Sequence, residues 1–495
     1  MTSFLIALAV LIGGYIIYGG IVSRVFGVDP SRKTPALERP DGVDYVAMPT
    51  WKVFLIQFLN IAGLGPIFGA IMGVMFGPAA FLWIALGTIF AGGVHDFVAA
   101  MISLRSGGAS LPEMVGRELG PSVKGVMRVF CIALLLLVAS VFVVSPSTII
   151  AGMFPAESLW ASAGVWILII FAYYVLATLL PVDKLIGKAY PLFGLTLLFM
   201  AAGILLVMLF GDVTIPDGFA EGIHNRRADA QSMPIFPMMF VSIACGAISG
   251  FHATQSPMMA RCLKNEKLAR PVFYGAMVAE GIVALIWAAA AIAFTGGYEQ
   301  LAEYMGSHTA GNLVKDVSIG WLGAVGGILA IIGVVAAPIT TGDTALRSAR
   351  LIAADIFGLD QKPIARRLLV GVPLFAGAAV LTYFASDPKQ FEVVWRYFAW
   401  FNQTLSVFTL WACTVYLRRK GKVYLLTLIP ALLMTAVSVS FVFVAPAAQG
   451  GFGLLDGENA PYGVGLGVLA AALLLGLFFY KKPQPDGEKD VASRA

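Results

Sequence analysis

Charged side chains are scarce: Asp, Glu, Lys and Arg make up 12% of this 495-residue chain, while hydrophobic residues reach 59%. Soluble proteins carry about a quarter charged residues, so a soluble multidomain protein is excluded and an all-α polytopic membrane protein follows. Cysteine is rarer still. Cys131, Cys245, Cys262 and Cys413 show no CxxC spacing and lie in or beside apolar runs, which marks them as small core residues and excludes a disulfide framework or a metal site. The net charge of +5 comes from basic residues spread over connecting loops, with no continuous patch for nucleic acid. No nucleophile–base constellation is present, so an enzyme is not expected, and nothing calls for a cofactor. Basic residues are also missing ahead of the first apolar run, since Arg24, Arg32 and Lys33 all follow it. That order argues against a cleaved signal peptide and for a retained first span with its N-terminus outside.

Apolar runs are what the chain has in plenty. At about 20 residues per bilayer crossing, thirteen spans fit, near 3–22, 52–76, 79–103, 125–146, 160–180, 189–210, 234–262, 272–295, 320–344, 368–386, 391–416, 423–445 and 462–480. With the N-terminus outside, the cytoplasmic loops and tail hold 28 of the 33 basic residues. The outside loops hold only Arg226, Arg227, Lys315 and Lys389, and Arg396 stays within a span, where it can snorkel outward. This partition supports the topology and puts the C-terminus in the cytoplasm.

Two spans are broken near their middles, at Asn60-Ile61-Ala62-Gly63-Leu64-Gly65-Pro66 and at 245–257, five spans apart. A break at bilayer depth exposes backbone polar groups, so it persists only where protein or a watery cavity meets them. Spans two to six (51–210) and seven to eleven (234–416) then form two five-helix units. Because five is odd, the second unit is inverted relative to the first, and each opens with its broken helix, as expected of an alternating-access transporter. An N-terminal helix and cytoplasmic loop (1–50) precede them, and two helices (423–480) and a polar tail (481–495) follow.

The breaks suggest where a substrate sits. Gly63 and Gly65 loosen the first helix and Pro66 suits the start of a new one. Ser256-Pro257 reads as an N-cap followed by Pro at the first helical position. Each break would present a half-helix N-terminus, favourable to an anion such as a carboxylate. Ser249, His252, Thr254, Gln255 and Ser256 would surround the second, and Asn402 and Gln403 in span eleven would line the cavity, with Asn60 at the first. The alternative is that Gly and Pro merely kink these spans for packing.

Ionisable residues within spans are costly and mark function. His95 and Asp96 stand among Gly87, Ala91, Gly92, Gly93, Ala99 and Ala100, small residues that imply close helix contact. Glu280, flanked on its face by Ala276 and Ala284, has no evident partner in sequence. His95, Asp96 and Glu280 are therefore the candidates for carrying protons, against a purely structural hydrogen bond. Asp343 and Arg347, at i and i+4, suit a salt bridge at the end of span nine. Thr340 and Thr341 could instead complete a Na⁺ site with carbonyls freed at the first break.

At this point the segments resemble a known family. Gly93-Val94-His95-Asp96-Phe97, the run from Ser249 through His252 to Pro257, Met259-Ala260-Arg261-Cys262, Asp343-Thr344-Ala345 and Asn402-Gln403-Thr404-Leu405 are similar to signature segments of the carbon starvation protein A family, over about residues 1–445. The chain resembles a shorter member, lacking C-terminal length found in larger ones. The resemblance implies a bacterial inner-membrane uptake transporter of the amino acid–polyamine–organocation superfamily, with a LeuT-like five-plus-five inverted repeat. It also implies peptides or pyruvate as substrates during nutrient limitation, moved with protons. Two other functions are weighed: a Na⁺ symporter of the same fold, and a nutrient sensor that binds without transporting.

Overall fold

The computed structural model describes residues 1–481 apart from Val43, Leu180, Pro181, Lys362 and Gly450. The expected tail at 481–495 lies outside the described residues beyond its first position. Every regular element among the described residues is helical. In chain order the first group is α1 (Thr2–Phe26), α2 (Thr50–Ile61), α3 (Gly65–Val74), α4 (Ala79–Arg105), α5 (Leu111–Leu119), α6 (Pro121–Ala151), α7 (Ala163–Leu179) and α8 (Val182–Phe210). After short helical pieces between Ile235 and Ala247 come α9 (His252–Ala260), α10 (Glu266–Thr295), α11 (Tyr298–Ser307), α12 (Ala310–Phe357), α13 (Ile364–Ala385), α14 (Pro388–Arg419), α15 (Leu425–Val444) and α16 (Ala460–Tyr480).

Nine helices among the described residues are long and apolar enough to cross a membrane, or ten when α2 and α3, bent by 53° at their break, are taken as one span. This is a multi-pass membrane protein. Three further expected spans correspond to α7, to the broken stretch ending in α9, and to α14, which carries more polar residues. Burial separates an inner set from an outer one. The most apolar windows of α4 and α10 are 83% and 78% buried, against 22% for α1 and α16. The inner helices can carry polar chemistry because protein, not lipid, surrounds them, and the outer ones present the exposed Ile, Leu and Val that lipid solvates.

Two boundaries depart from expectation. The ninth span was expected to end at 344, but α12 continues to Phe357, because Ala345, Leu346, Ala349, Ile352 and Ala353 extend its buried face. Arg347 and Arg350, expected in a loop, are buried as a result. Burial is tolerable because the guanidinium groups are hydrogen-bonded: Arg347 donates to the Ala177 carbonyl at 2.8 Å and Arg350 donates to the Gln361 side chain. At its other end α12 starts early, with Thr309 and Asn312 forming a capping box. Gly323, at φ 66°, turns this first stretch away from the spanning part.

Candidate functional site

The first break falls where the glycines and proline place it. Helix α2 stops at Ile61 and α3 begins at Gly65 with Pro66 in its first turn, where a missing N–H costs nothing. The second break lies at Ile248–Phe251, and α9 starts at His252. This corrects the expected cap at Ser256-Pro257. Pro257 lies inside α9, and the Ser256 hydroxyl donates to the His252 carbonyl at 3.0 Å. The cap comes from another helix. Asn402 of α14 accepts the Phe251 N–H at 2.7 Å and the Ser249 hydroxyl at 2.9 Å through Oδ1, and its carbonyl accepts the Gly250 N–H at 3.2 Å. Its amide also donates to Cys245 Sγ at 3.4 Å, and Gln403 donates to the Ile248 carbonyl at 3.2 Å. Asn402 and Gln403 are thus bonded to the broken backbone itself.

The two breaks meet. A Cβ on Gly65 would fall 2.4 Å from both Cβ and Sγ of Cys245, and one on Gly246 would fall 3.8 Å from Cα of Pro66. Helix α4 closes the other side: Thr88 donates to the Gly246 carbonyl at 3.0 Å, and a Cβ on Gly92 would lie 2.3 Å from the Ala247 oxygen. The small residues around His95 and Asp96 are what permit this approach.

Behind the second break runs a buried chain of ionisable groups. His95 Nδ1 lies 2.7 Å from Asp96 Oδ1, His252 Nδ1 lies 2.8 Å from Asp96 Oδ2, and His252 Nε2 lies 3.3 Å from Glu280 Oε2. All four side chains are fully buried. Asp96 thereby bridges two imidazoles, and the partner of Glu280, absent from its sequence neighbourhood, is His252. Burying charge without partners is expensive, and each of these groups lies within 3.3 Å of another in the row. Cys245 Sγ, a His252 nitrogen and a Glu280 oxygen lie within 4.8 Å of one another, so among the described residues these three could hold a metal ion, although none was expected.

Other expected residues have different surroundings. Thr254 donates to the Phe251 carbonyl at 2.6 Å and receives the Gln255 amide at 2.8 Å. Asn60 is buried, with Oδ1 accepting the Thr344 hydroxyl at 3.3 Å. Gly63 sits beneath the Phe142 ring, where a Cβ would lie 2.7 Å away. The Thr341 hydroxyl is shared between the Ala337 carbonyl of its own helix at 2.8 Å and the Leu59 carbonyl at 3.1 Å, while the Thr340 hydroxyl bonds within its own helix, to the Ala336 and Ala337 carbonyls. Of the two expected cation ligands, Thr341 therefore reaches the first break.

The family model described as "Carbon starvation protein CstA" matches residues 1–154 and 144–319. The chain belongs to this family. An uncharacterized membrane protein of Haemophilus influenzae is 45% identical, over 59% of this chain and 91% of that one. A peptide transporter CstA of Campylobacter jejuni is 30% identical, over 57% of this chain and 48% of its own length. The pyruvate/proton symporter BtsT of Escherichia coli is 30% identical, over 54% and 45%. The match therefore spans about half the length of these two transporters. Among solved structures, MhsT in complex with L-phenylalanine superposes with a TM-score of 0.51 at 15% identity, covering 87% of this chain and 99% of that one. At that identity the likeness concerns the fold alone.

Proposed function

We propose that this protein is a secondary active uptake transporter, a proton symporter for small carboxylate-bearing nutrients, with pyruvate and short peptides as the substrate classes. The observation that carries this reading is the buried His95–Asp96–His252–Glu280 chain laid against a broken helix. A relay of imidazoles and carboxylates can take up and release protons, and His252 belongs to both the relay and the first turn of α9, so proton load and break geometry share a residue. The Asn402 amide oxygen occupies the position a carboxylate oxygen would take, accepting from Phe251 N–H and the Ser249 hydroxyl. Substrate would displace it, with Gly63, Gly65 and Pro66 supplying the facing half-helix. Relatives described as a peptide transporter and a pyruvate/proton symporter support the same chemistry.

The five-plus-five inverted repeat, thirteen spans, bacterial plasma-membrane location, outside N-terminus and cytoplasmic C-terminus belong to this proposal and rest on the break positions and the basic-residue partition. Counterflow in proteoliposomes, with pyruvate and dipeptides competing, tests it. An outside-acid gradient should drive accumulation; equal accumulation with and without the gradient would remove proton coupling. A sodium-coupled version is favoured by one contact, Thr341 Oγ1 at 3.1 Å from the Leu59 carbonyl. Uptake that stops when choline replaces Na⁺ at fixed pH would establish that version instead.

A further inference from the structure

Around Thr340–Thr344, α12 faces two ways. The hydroxyls of Thr341 and Thr344 turn to α2 and the first break, meeting the Leu59 carbonyl and the Asn60 side chain. Asp343, fully buried, is held from the other side. Its Oδ2 accepts the hydroxyl of Tyr190 on α8, which also lies 3.3 Å from the Thr340 carbonyl and 3.4 Å from the hydroxyl of Tyr173 on α7. Oδ1 of Asp343 has no hydrogen-bond partner among the described residues. Among the described residues, the other ionisable groups near it are Tyr174 on α7, whose hydroxyl donates to the Phe142 carbonyl, and Arg347 and Arg350 on α12 itself. Arg347 in turn donates to the Ala177 carbonyl and lies 3.9 Å from Asp44 in the segment before α2.

A purely structural ion pair would use both carboxylate oxygens, because a buried acceptor left without a donor costs about 1–3 kcal/mol. An acid that must alternate between charged and neutral forms is better served by a partial hydrogen-bond set, which keeps the two forms close in energy. Its location also suits such a task. When charged, Asp343 binds the Tyr190 hydroxyl through a charge-assisted bond and ties α8 to α12. When neutral, it loosens that tie, on the same turn of α12 that touches the first break.

We propose that Asp343 is a second proton-carrying site, separate from the chain at the second break, with the Tyr190 and Tyr173 hydroxyls as its hydrogen-bonded connection toward α7. One O–H bond forms on the carboxylate as a proton is taken from one side of the membrane, and the same bond breaks as it leaves on the other. The inference rests on the proton-symport reading and adds a second coupled proton to it. In proteoliposomes at clamped zero membrane potential, each coupled proton multiplies the limiting accumulation ratio by about 10 per pH unit of gradient. Measured with pyruvate and with dialanine as probes, wild type should approach about 100-fold per pH unit and Asp343→Asn about 10-fold. A wild-type slope of about 10-fold, or an unchanged slope in Asp343→Asn, overturns the second site and leaves the symport reading standing. A wild type with no dependence on the gradient removes the symport reading as well. Tyr190→Phe decides the matter should Asp343→Asn not fold: losing a donor to the carboxylate favours its neutral form, so the uptake profile should move to higher pH. A Tyr190→Phe profile that overlays wild type also overturns the proposal.

Discussion

The two broken helices solve the same problem with different chemistry. At the first, backbone irregularity is met by hydroxyls and an amide: Thr341 on the Leu59 carbonyl, Thr344 on Asn60, and an aromatic ring over Gly63. No ionisable side chain is among these contacts. At the second, Asn402 caps the broken backbone on one side, and a fully buried row of two imidazoles and two carboxylates stands on the other. Two neutral breaks would suffice for packing. An asymmetric pair points to a division of labour: the second break lies directly against ionisable groups, while the first meets hydroxyls and an amide, with Asp343 set behind them on the α12 turn.

The largest expected effect follows from removing charge at the second break. Glu280→Gln keeps the shape but deletes the titratable end of the chain, so gradient-driven uptake should fall by about 100-fold or more. Counterflow exchange, which needs no net proton movement, should survive, and the protein should remain in the membrane. The matched change at the first break, Thr341→Val, should spare proton coupling. If both variants lose gradient-driven uptake equally while keeping counterflow, the division of labour is wrong.

How far this asymmetry was readable from the sequence depends on range. Asn60-Ile61-Ala62-Gly63-Leu64-Gly65-Pro66 announces its own break, because glycine and proline act on the backbone within a turn. His95-Asp96 announces its pairing because the two are neighbours. The partner of Glu280 could not be read, since His252 lies in another broken segment and no periodicity links it to α10. Ser256-Pro257 misled for a physical reason: Ser-Pro is a good helix start in isolation, but Asn402, from a distant helix, caps the chain five residues earlier and the helix runs through the proline. Arg347 and Arg350 misled too, because charge in sequence reads as a loop unless the carbonyl and amide partners that bury it are known. The inner-versus-outer order of helices was legible only in part. Small residues marked α4 as an inner helix, while the exposure of α1 and α16 emerges from the packing.

Steric tests sharpen the same comparison at a smaller scale. Gly250→Ala would place a Cβ 2.3 Å from the Ser406 backbone nitrogen and 2.4 Å from the Asn402 oxygen, groups that cannot rotate away. Gly65→Ala meets mainly the Cys245 side chain, at 2.4 Å from Cβ and Sγ. Overpacking of this kind costs about 1–3 kcal/mol, and the thermal stability of the detergent-solubilised protein should drop more for Gly250→Ala. Adding Cys245→Gly should relieve Gly65→Ala, since the obstructing atoms are gone, whereas no side-chain change can relieve Gly250→Ala. Equal losses with equal rescue would show that the breaks are held by side chains alone.

Thr341→Val measures the first break directly. It removes the hydroxyl that donates to the Leu59 carbonyl while keeping the β-branched shape. Under the proposed proton symport, losing this hydrogen bond should cost about 0.5–1.5 kcal/mol of stability, with uptake reduced only modestly. Abolished uptake together with lost sodium dependence would reassign this break to the coupling ion.

The smallest effect is expected in the loop that leads into the second broken segment and touches the end of the first. In 211–233, the Arg226 N–H donates to the Phe76 carbonyl just after α3, and the Arg227 guanidinium lies 5.1 Å from the Phe76 ring centroid. Arg227 is oriented by a two-point contact with Asp229, at 2.7 and 2.8 Å. Those hydrogen bonds hold the Asp229 carboxyl below the usual carboxylate range. A lowered folded-state value means that the contribution is present above the ordinary aspartate pKa of about 3.9 and disappears as pH falls through the lower, folded value. The pair is partly exposed, so it is worth less than about 1 kcal/mol and weakens with salt. Limited proteolysis of this loop between pH 7 and pH 3 should show cleavage rising in the acid range for wild type. Asp229→Asn should be cleaved at its raised rate across that whole range, because it has no carboxylate to lose. If the two profiles coincide at neutral pH, the loop does not draw its order from this contact, and the breaks are linked only through their own touching backbones.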